Sequence, residues 1–350
     1  MKMSYIKFLH RQSLPKTDNK KYYVSLMKGN RMNGYHIVIN PAGAGGRTNE
    51  CWTVVKKEMD TLGIEYAVHL SSLAHGIKDI MRELTSSQER VNIILIGGDG
   101  SMNLAVNGIV NFQNTYLGLI PCGSGNDLAK SLGIHGSAID CLHRILNDHT
   151  GRNLDVGVLT YHNRYDANGN KISDEDYTRR YNISSGIGYD AAICVQVQKS
   201  PWKKILNALH IGRLIYLFVG AHLIFLHDHF KTTIQIDNES YTYKKLLFIA
   251  TMNEAYEGGG FNFCPAADPC DGKLDICVAD GLGRIDFFRI FPYAMKGTHD
   301  RFSGIHLKSG KVIHIQTEKP VWVHTDGEIE YQTSSVSYEV MPEKMHFLGW

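Results

Sequence analysis

Residues 92–101 read NIILIGGDGS, and this decapeptide decides the fold. Asn92-Ile-Ile-Leu-Ile96 is a short, almost wholly aliphatic run of the kind found in a strand buried on both faces. Gly97, Gly98 and Gly100 surround Asp99 at its end, so the backbone can pass close to a phosphate while one carboxylate projects from the turn. A tight turn with Asp99 capping the next helix needs fewer small residues than this.

Working outward, three more apolar strands are predicted at Tyr35–Asn40, Ile64–Leu70 and Tyr116–Ile120, with helical stretches near 49–62, 74–84, 102–110 and 126–132. Apolar strands alternating with helices imply a parallel sheet with helices on both faces, whose ligands bind in the loops after the strand C-termini. Two of those loops are again rich in glycine. Asn40-Pro-Ala-Gly-Ala-Gly-Gly-Arg47 lacks the lysine of a Walker A loop, and Thr48 breaks the dinucleotide glycine pattern. It suits an anion-binding concavity and a plain βα turn equally well. Pro121-Cys-Gly-Ser-Gly-Asn-Asp127 follows the fourth strand, with Ser124 and its flanking glycines suited to a phosphate. Three such loops along one sheet edge predict a nucleotide site.

After Asp155 the rhythm changes to strands in succession: Val156–Tyr165, Thr178–Ser184, Lys231–Asp237, Tyr241–Met252, Lys273–Ala279, Lys311–Thr317 and Val321–Thr325, with a polar hairpin loop at 166–176. Strands following a run of βα units predict a second, mostly antiparallel β domain. The expected organisation is a basic extension over 1–33, an α/β nucleotide-binding domain over 34–154 and a β-rich domain over 155–330. A C-terminal segment, 331–350, would supply a strand (Ser335–Met341) able to return to either domain.

The formal charge of the 350 residues is only +2, too small to argue for nucleic acid. Residues 1–33 alone carry +7, from eight basic residues against Asp18, so the leader can touch anionic lipid or simply be solvated. It has no apolar core like that of a secretory signal. Seven scattered cysteines form no C-x-x-C pair and read as reduced thiols of a cytosolic protein. No apolar run approaches the ~18 residues of a membrane span. The stretch from Lys199 to Leu226, with Trp202 and then aliphatic bulk, suits an interfacial helix or one packed on the second domain. The seventeen histidines show no H-x-x-x-H spacing and read as structural or surface residues.

The ordered motifs resemble the diacylglycerol kinase catalytic family, bacterial lipid kinases related to sphingosine kinases and, more distantly, to NAD kinases. They are Asn-Pro with the glycine loop at 40–46, GGDGS at 97–101, Asn107-Gly108, PCGSGNDLAK at 121–130 and Leu154-Asp-Val-Gly157. They continue with Ser185-Gly-Ile-Gly-Tyr-Asp190, Gly258-Gly-Gly260, Pro265-Ala-Ala-Asp-Pro-Cys-Asp-Gly-Lys-Leu-Asp275, Gly297-x-His299 and Asp326-Gly-Glu328. Ser101 departs from the family, which usually has threonine there, but it keeps a hydroxyl.

The resemblance implies ATP held against Asn40, Pro41, Gly43, Gly45 and Ser72, with Gly97, Gly98, Gly100, Ser101 and Ser124 completing that pocket. It also implies Mg2+ on Asp268, Asp271 and the carbonyl of Lys273, an oxygen-only set suited to a hard cation. Glu328 matches the family's proton acceptor, and Asp99 is its rival in that role. The implied reaction converts diacylglycerol and ATP to phosphatidic acid and ADP in phospholipid metabolism. It would run on a cytoplasmic enzyme peripheral to the inner face of the membrane, with a homodimer an unsurprising state. The alternatives are another lipid alcohol (a sphingoid base, phosphatidylglycerol or undecaprenol), a soluble NAD kinase-like enzyme, or a non-catalytic lipid-binding protein.

Overall fold

The computed structural model describes residues 34–199, 219–225 and 228–350. The basic leader and most of the Lys199–Leu226 stretch lie outside the described residues. By packing, the described chain divides into one unit of residues 34–123, 133–153 and 345–350, and a second of 124–132 and 154–344.

In the first unit, strands β1 (Tyr35–Ile39), β2 (Tyr66–Leu70), β3 (Val91–Gly97) and β4 (Thr115–Pro121) run parallel in the order β2-β1-β3-β4. Every residue of β3 is buried, as its unbroken aliphatic run requires. Helices α1 (Arg47–Leu62), α2 (Ile77–Leu84) and α3 (Asp99–Gly108) follow the first three strands in turn. Two helix starts differ from expectation. α2 begins at Ile77 rather than 74, because Asp79 turns back to accept the Gly76 N–H at 3.2 Å. α3 begins at Asp99 rather than 102, so the GGDGS motif is largely the first turn of a helix. An acid in a first turn is favoured by the helix dipole.

The C-terminal segment divides. Met345–Leu348 adds to β4 as a further parallel strand. Of the expected Ser335–Met341, residues Ser335–Val340 instead end the longer strand Glu328–Val340 of the second unit, with Val336–Val340 paired to Gly157–Tyr161.

The second unit is built on an eleven-stranded sheet, and its strand pairings are antiparallel. Its main path runs Ile305–Gly310, Leu274–Asp280, Glu239–Met252, Ser184–Gly188, Val312–Thr325, Glu328–Val340, Gly157–Tyr161 and Tyr177–Tyr181. Alternation gives the sheet two apolar faces. Ile249, Val278, Val323 and Tyr338 enter one core, while Ala250, Met252, Cys277 and Ala279 enter another beside Tyr189 and Ile290.

Several predicted strands change on folding. The expected Thr178–Ser184 is two strands, Tyr177–Tyr181 and Ser184–Gly188, which pair with different neighbours. The expected Val156–Tyr165 breaks after Tyr161. Lys311–Thr317 and Val321–Thr325 are one strand whose pairing shifts register between Gln316 and Val321. The predicted helix near 126–132 forms as Asp127–Ser131, and it packs within the second unit rather than the first.

Candidate active site

The strand order of the first unit reverses direction between β1 and β3, the position where open α/β sheets bind ligands. The loop after β1 tightens into a 3-10 turn, Gly43–Gly46, before α1. Gly45 and Gly46 have φ of +68° and +97°, which only glycine adopts without strain. Asn40 holds the turn, accepting the Ala42 N–H on its side chain at 3.1 Å and the Gly43 N–H on its carbonyl at 2.9 Å. On the other side, a Cβ on Gly97 would lie 2.6 Å from Ser101 Cβ, so glycine is what lets α3 start this close to β3. The Cys122 N–H donates to the Gly97 carbonyl at 2.8 Å and ties the loop after β4 to the one after β3.

Asn40, Pro41, Gly43 and Gly45, after β1, and Gly97, Gly98, Asp99, Gly100 and Ser101, where β3 ends and α3 begins, thus occur at the C-terminal ends of neighbouring strands. Ser72 is exposed and closes its own turn, accepting the His75 N–H at 3.1 Å. Ser124 belongs by packing to the second unit.

In the second unit, Asp326 and Gly327 form the two-residue loop joining Val312–Thr325 to Glu328–Val340, with Thr325 paired to Glu328. Their φ values, +50° and +82°, are those of a type I′ turn, for which Asp-Gly is a preferred sequence. The Asp326 carboxylate accepts the backbone N–H groups of Asn182, Ile183 and Ser184 at 3.0, 2.9 and 3.1 Å. The first acid of the Asp-Gly-Glu motif is therefore a clamp on the chain break before Ser184. Glu328 itself stands exposed at the start of its strand.

The loop of Asp268 and Asp271 is anchored from beneath by Asp155, which is fully buried. The Asp155 carboxylate accepts the Gly272 N–H at 2.7 Å and pairs with Lys344, and its own N–H donates to the Pro269 carbonyl at 2.7 Å. Asp268 and Asp271 are exposed and accept the Cys270 and Lys273 N–H groups at 3.0 and 2.9 Å. Nearby acids register the crowding. Burial, then Asp271 and Asp268, push Asp275 up to about 6 against the pull of Lys273. Burial, then Asp268 and Asp326, push Glu254 well above the carboxylate range, and its Oε1 is buried with no hydrogen-bond partner. Exposed carboxylates, a backbone carbonyl at Lys273 and surplus negative charge fit a hydrated Mg2+, which keeps several of its own waters.

One grouping escaped the sequence reading. Asp190, Glu257 and His324 bring one carboxylate or imidazole atom each within 4.8 Å of one another, the only such trio found among the described residues. Gly186 sits directly opposite His324 in the sheet, and a Cβ there would lie 2.0 Å from Asp190 Oδ2 and 2.3 Å from His324 Nε2. His324 is thus buried in a polar trio, and His299, 1% exposed, is buried too. The glycine at 186 beside Asp190 in the motif was the one available signal; Glu257 and His324 had none.

No helix among the described residues is long and apolar enough to cross a membrane. Residues 34–159 match the family described as the diacylglycerol kinase catalytic domain, and residues 183–349 match the YegS C-terminal NAD kinase beta sandwich-like domain. YtlR of Bacillus subtilis, provisionally named a lipid kinase, is 23% identical over 85% of this chain and 94% of its own length. A diacylglycerol kinase of the same organism is 24% identical over 83% of this chain and 88% of its own. A crystal structure from Bacillus anthracis, provisionally named a diacylglycerol kinase, superposes with a TM-score of 0.66 at 23% identity, over 91% of this chain and 97% of that one.

Proposed function

Since this chain belongs to the family of the diacylglycerol kinase catalytic domain, we propose that it transfers the γ-phosphoryl group of ATP to the hydroxyl of diacylglycerol, giving phosphatidic acid. What carries the reading is the tandem of a diacylglycerol kinase catalytic match and a YegS C-terminal match, with strand-end glycine loops in the first and the Asp-Gly-Glu turn in the second. Membership of a kinase family implies ATP as co-substrate. The Asn40–Gly46 loop and the α3 N-terminus offer backbone N–H groups to its phosphates. The lipid hydroxyl is a poor nucleophile, so a carboxylate that takes its proton assists as the phosphoryl group leaves ADP. Glu328 takes that proton on a carboxylate oxygen: it is exposed, and Asp326 is already committed to three backbone N–H groups. Asp99 acts at the phosphates from the first turn of α3.

Bound Mg2+ would supply positive charge that offsets the acids around Asp268, Asp271 and the Lys273 carbonyl. The reaction takes place at the cytoplasmic face of the membrane, where the lipid substrate resides. The alternatives predict different products. Incubating the full chain with Mg-ATP and diacylglycerol, sphingosine, phosphatidylglycerol, undecaprenol or NAD, with products identified by mass spectrometry, separates them. Phosphatidic acid as the main product is expected. Turnover confined to another lipid would change the substrate, NADP would move the reading to NAD kinases, and ligand binding without turnover would leave a lipid-binding protein.

A further inference from the structure

His324 lies fully buried between two acids, and both of its ring nitrogens are engaged. Nε2 is 2.8 Å from Asp190 Oδ2 and 3.2 Å from Glu257 Oε1. On the other side, Nδ1 accepts the Gly327 N–H at 3.1 Å. Asp190 comes from the helix Tyr189–Lys199, Glu257 from the short strand Tyr256–Glu257, and Gly327 from the turn that presents Glu328.

The Gly327 contact fixes where the ring proton resides. A nitrogen that accepts an N–H cannot carry a proton of its own, so the proton belongs on Nε2, facing the two carboxylates. The same contact argues against two other readings. An imidazolium would place the Nδ1 proton against the Gly327 proton. A metal held through Nε2 would force the ring proton onto Nδ1, with the same clash.

The surrounding charge pulls the other way. Burial works to lower His324, but Asp190 and Glu257 outweigh it and raise the ring to about 9, so the neutral form rests on the Gly327 contact and not on the surrounding charge. Burial first, and Asp190 second, also push Glu257 up to about 8, so its carboxyl is a second place for that proton. Glu257 is 8% exposed, and its Oε2 has no hydrogen-bond partner. Two more acids face the trio. Asp127 adds negative charge at Glu257, and Asp326 adds it at His324. The Cys264 and Cys277 thiols, raised mainly by burial, stay neutral.

We propose that His324 is a positioning residue for the phosphoryl transfer assigned above: a neutral imidazole that braces the Glu328 turn through Nδ1 and ties it, through Nε2–H, to Asp190 and Glu257. The proposal rests on the kinase reading, and it separates the contributions of the two nitrogens. Asparagine can keep an acceptor near Nδ1 but does not reach the acids. Glutamine keeps a donor near Nε2 and loses the acceptor for Gly327. Leucine keeps neither.

The test uses the full chain with His324→Asn, His324→Gln and His324→Leu, measuring kcat and KM on the accepted lipid. Losing the turn contact should lower kcat roughly tenfold, the worth of one hydrogen bond, in the glutamine and leucine variants. The asparagine variant should stay within a few-fold of wild type, and KM for ATP should not move in any of them. An equal kcat across the three variants, at any level, overturns the brace.

A second readout needs no turnover: 15N NMR of histidine-labelled wild-type protein, with the His324 signal assigned by its loss in the asparagine variant. An Nε2–H tautomer at neutral pH supports the proposal. A doubly protonated ring, or an Nε2 signal shifted by metal and restored by chelator, overturns it. An inactive wild type counts against the kinase reading; an even variant series on an active enzyme, or the wrong tautomer, counts against this one.

Discussion

Asp326→Ala should release the backbone on either side of the Asn182–Ile183 break. The carboxylate receives three buried N–H groups at 2.9 to 3.1 Å, and the Asp326 N–H returns a bond to the Ser184 carbonyl at 2.8 Å. Hydrogen bonds to a charged acceptor contribute ~1.5–3 kcal/mol each. Asp326 is half-buried, so water can replace part of this, and about 3–5 kcal/mol is the expected local loss. Alanine at φ +50° adds about 1–2 kcal/mol of backbone strain.

Asparagine tolerates that φ and keeps an oxygen for Ile183 and Ser184, but it turns an amide donor towards the Asn182 N–H. Asp326→Asn should therefore cost about 2 kcal/mol, concentrated at Asn182. Gly327→Ala meets no neighbour within 4 Å and should cost only the strain of φ +82°, about 1–2 kcal/mol. Native-state hydrogen exchange of the 182–184 amides reads each case directly, since each 1.4 kcal/mol of local stability is about a tenfold change in exchange. The alanine variant should raise exchange at all three amides by more than a hundredfold, and the asparagine variant chiefly at Asn182. Unchanged protection in the alanine variant would refute the clamp and the reasoning from these distances.

Gly186→Ala should push the His324 ring away from Gly327, because its Cβ would fall 2.0 Å from Asp190 Oδ2 and 2.3 Å from His324 Nε2; kcat should fall roughly tenfold, and full activity would show that His324 does not brace the turn. Glu257 holds its proton far better folded than unfolded, so its contribution to stability is complete below about pH 4.5 and is lost as pH rises through about 8. Glu257→Gln should flatten the stability curve between pH 5 and 8 by up to ~1.4 kcal/mol per unit, and parallel curves for variant and wild type in denaturant titrations would contradict this. Asp155→Asn removes the charge that anchors the Asp268–Lys273 loop through Gly272 and Lys344, and should weaken Mg2+ binding at the proposed site roughly tenfold by calorimetry; unchanged affinity would separate Asp155 from that proposed site.

The first unit was legible because its strands are continuous aliphatic runs, and a residue such as Ile94 is buried whichever face it takes. Helix starts were less so: Asp99 has no apolar period of its own, and only the helix it begins shows that GGDGS is a first turn. In the second unit pairing governs the boundaries. Thr178–Ser184 looks continuous until Asp326, 142 residues beyond Ser184, is seen to grip its middle. The glycine loops, the acidic loop and the Asp-Gly-Glu turn were visible because their residues are neighbours in sequence. Asp190, Glu257 and His324 are far apart in the chain and match no metal spacing, and antiparallel pairing at Gly186 is what brings Asp190 and His324 together. The sequence marked Asp155 only as part of Leu154-Asp-Val-Gly157, since its role as an anchor depends on contacts with Gly272 and Lys344.

The most direct test of the lipid kinase account follows label from [γ-32P]ATP into lipid, using the full chain, Mg2+ and diacylglycerol in mixed micelles, beside Glu328→Gln. The account predicts labelled phosphatidic acid from wild type, with at least a hundredfold lower kcat and a little-changed KM for ATP in the variant. Label that never enters phosphatidic acid would contradict the assigned reaction, and a fully active Glu328→Gln would contradict the assigned proton acceptor.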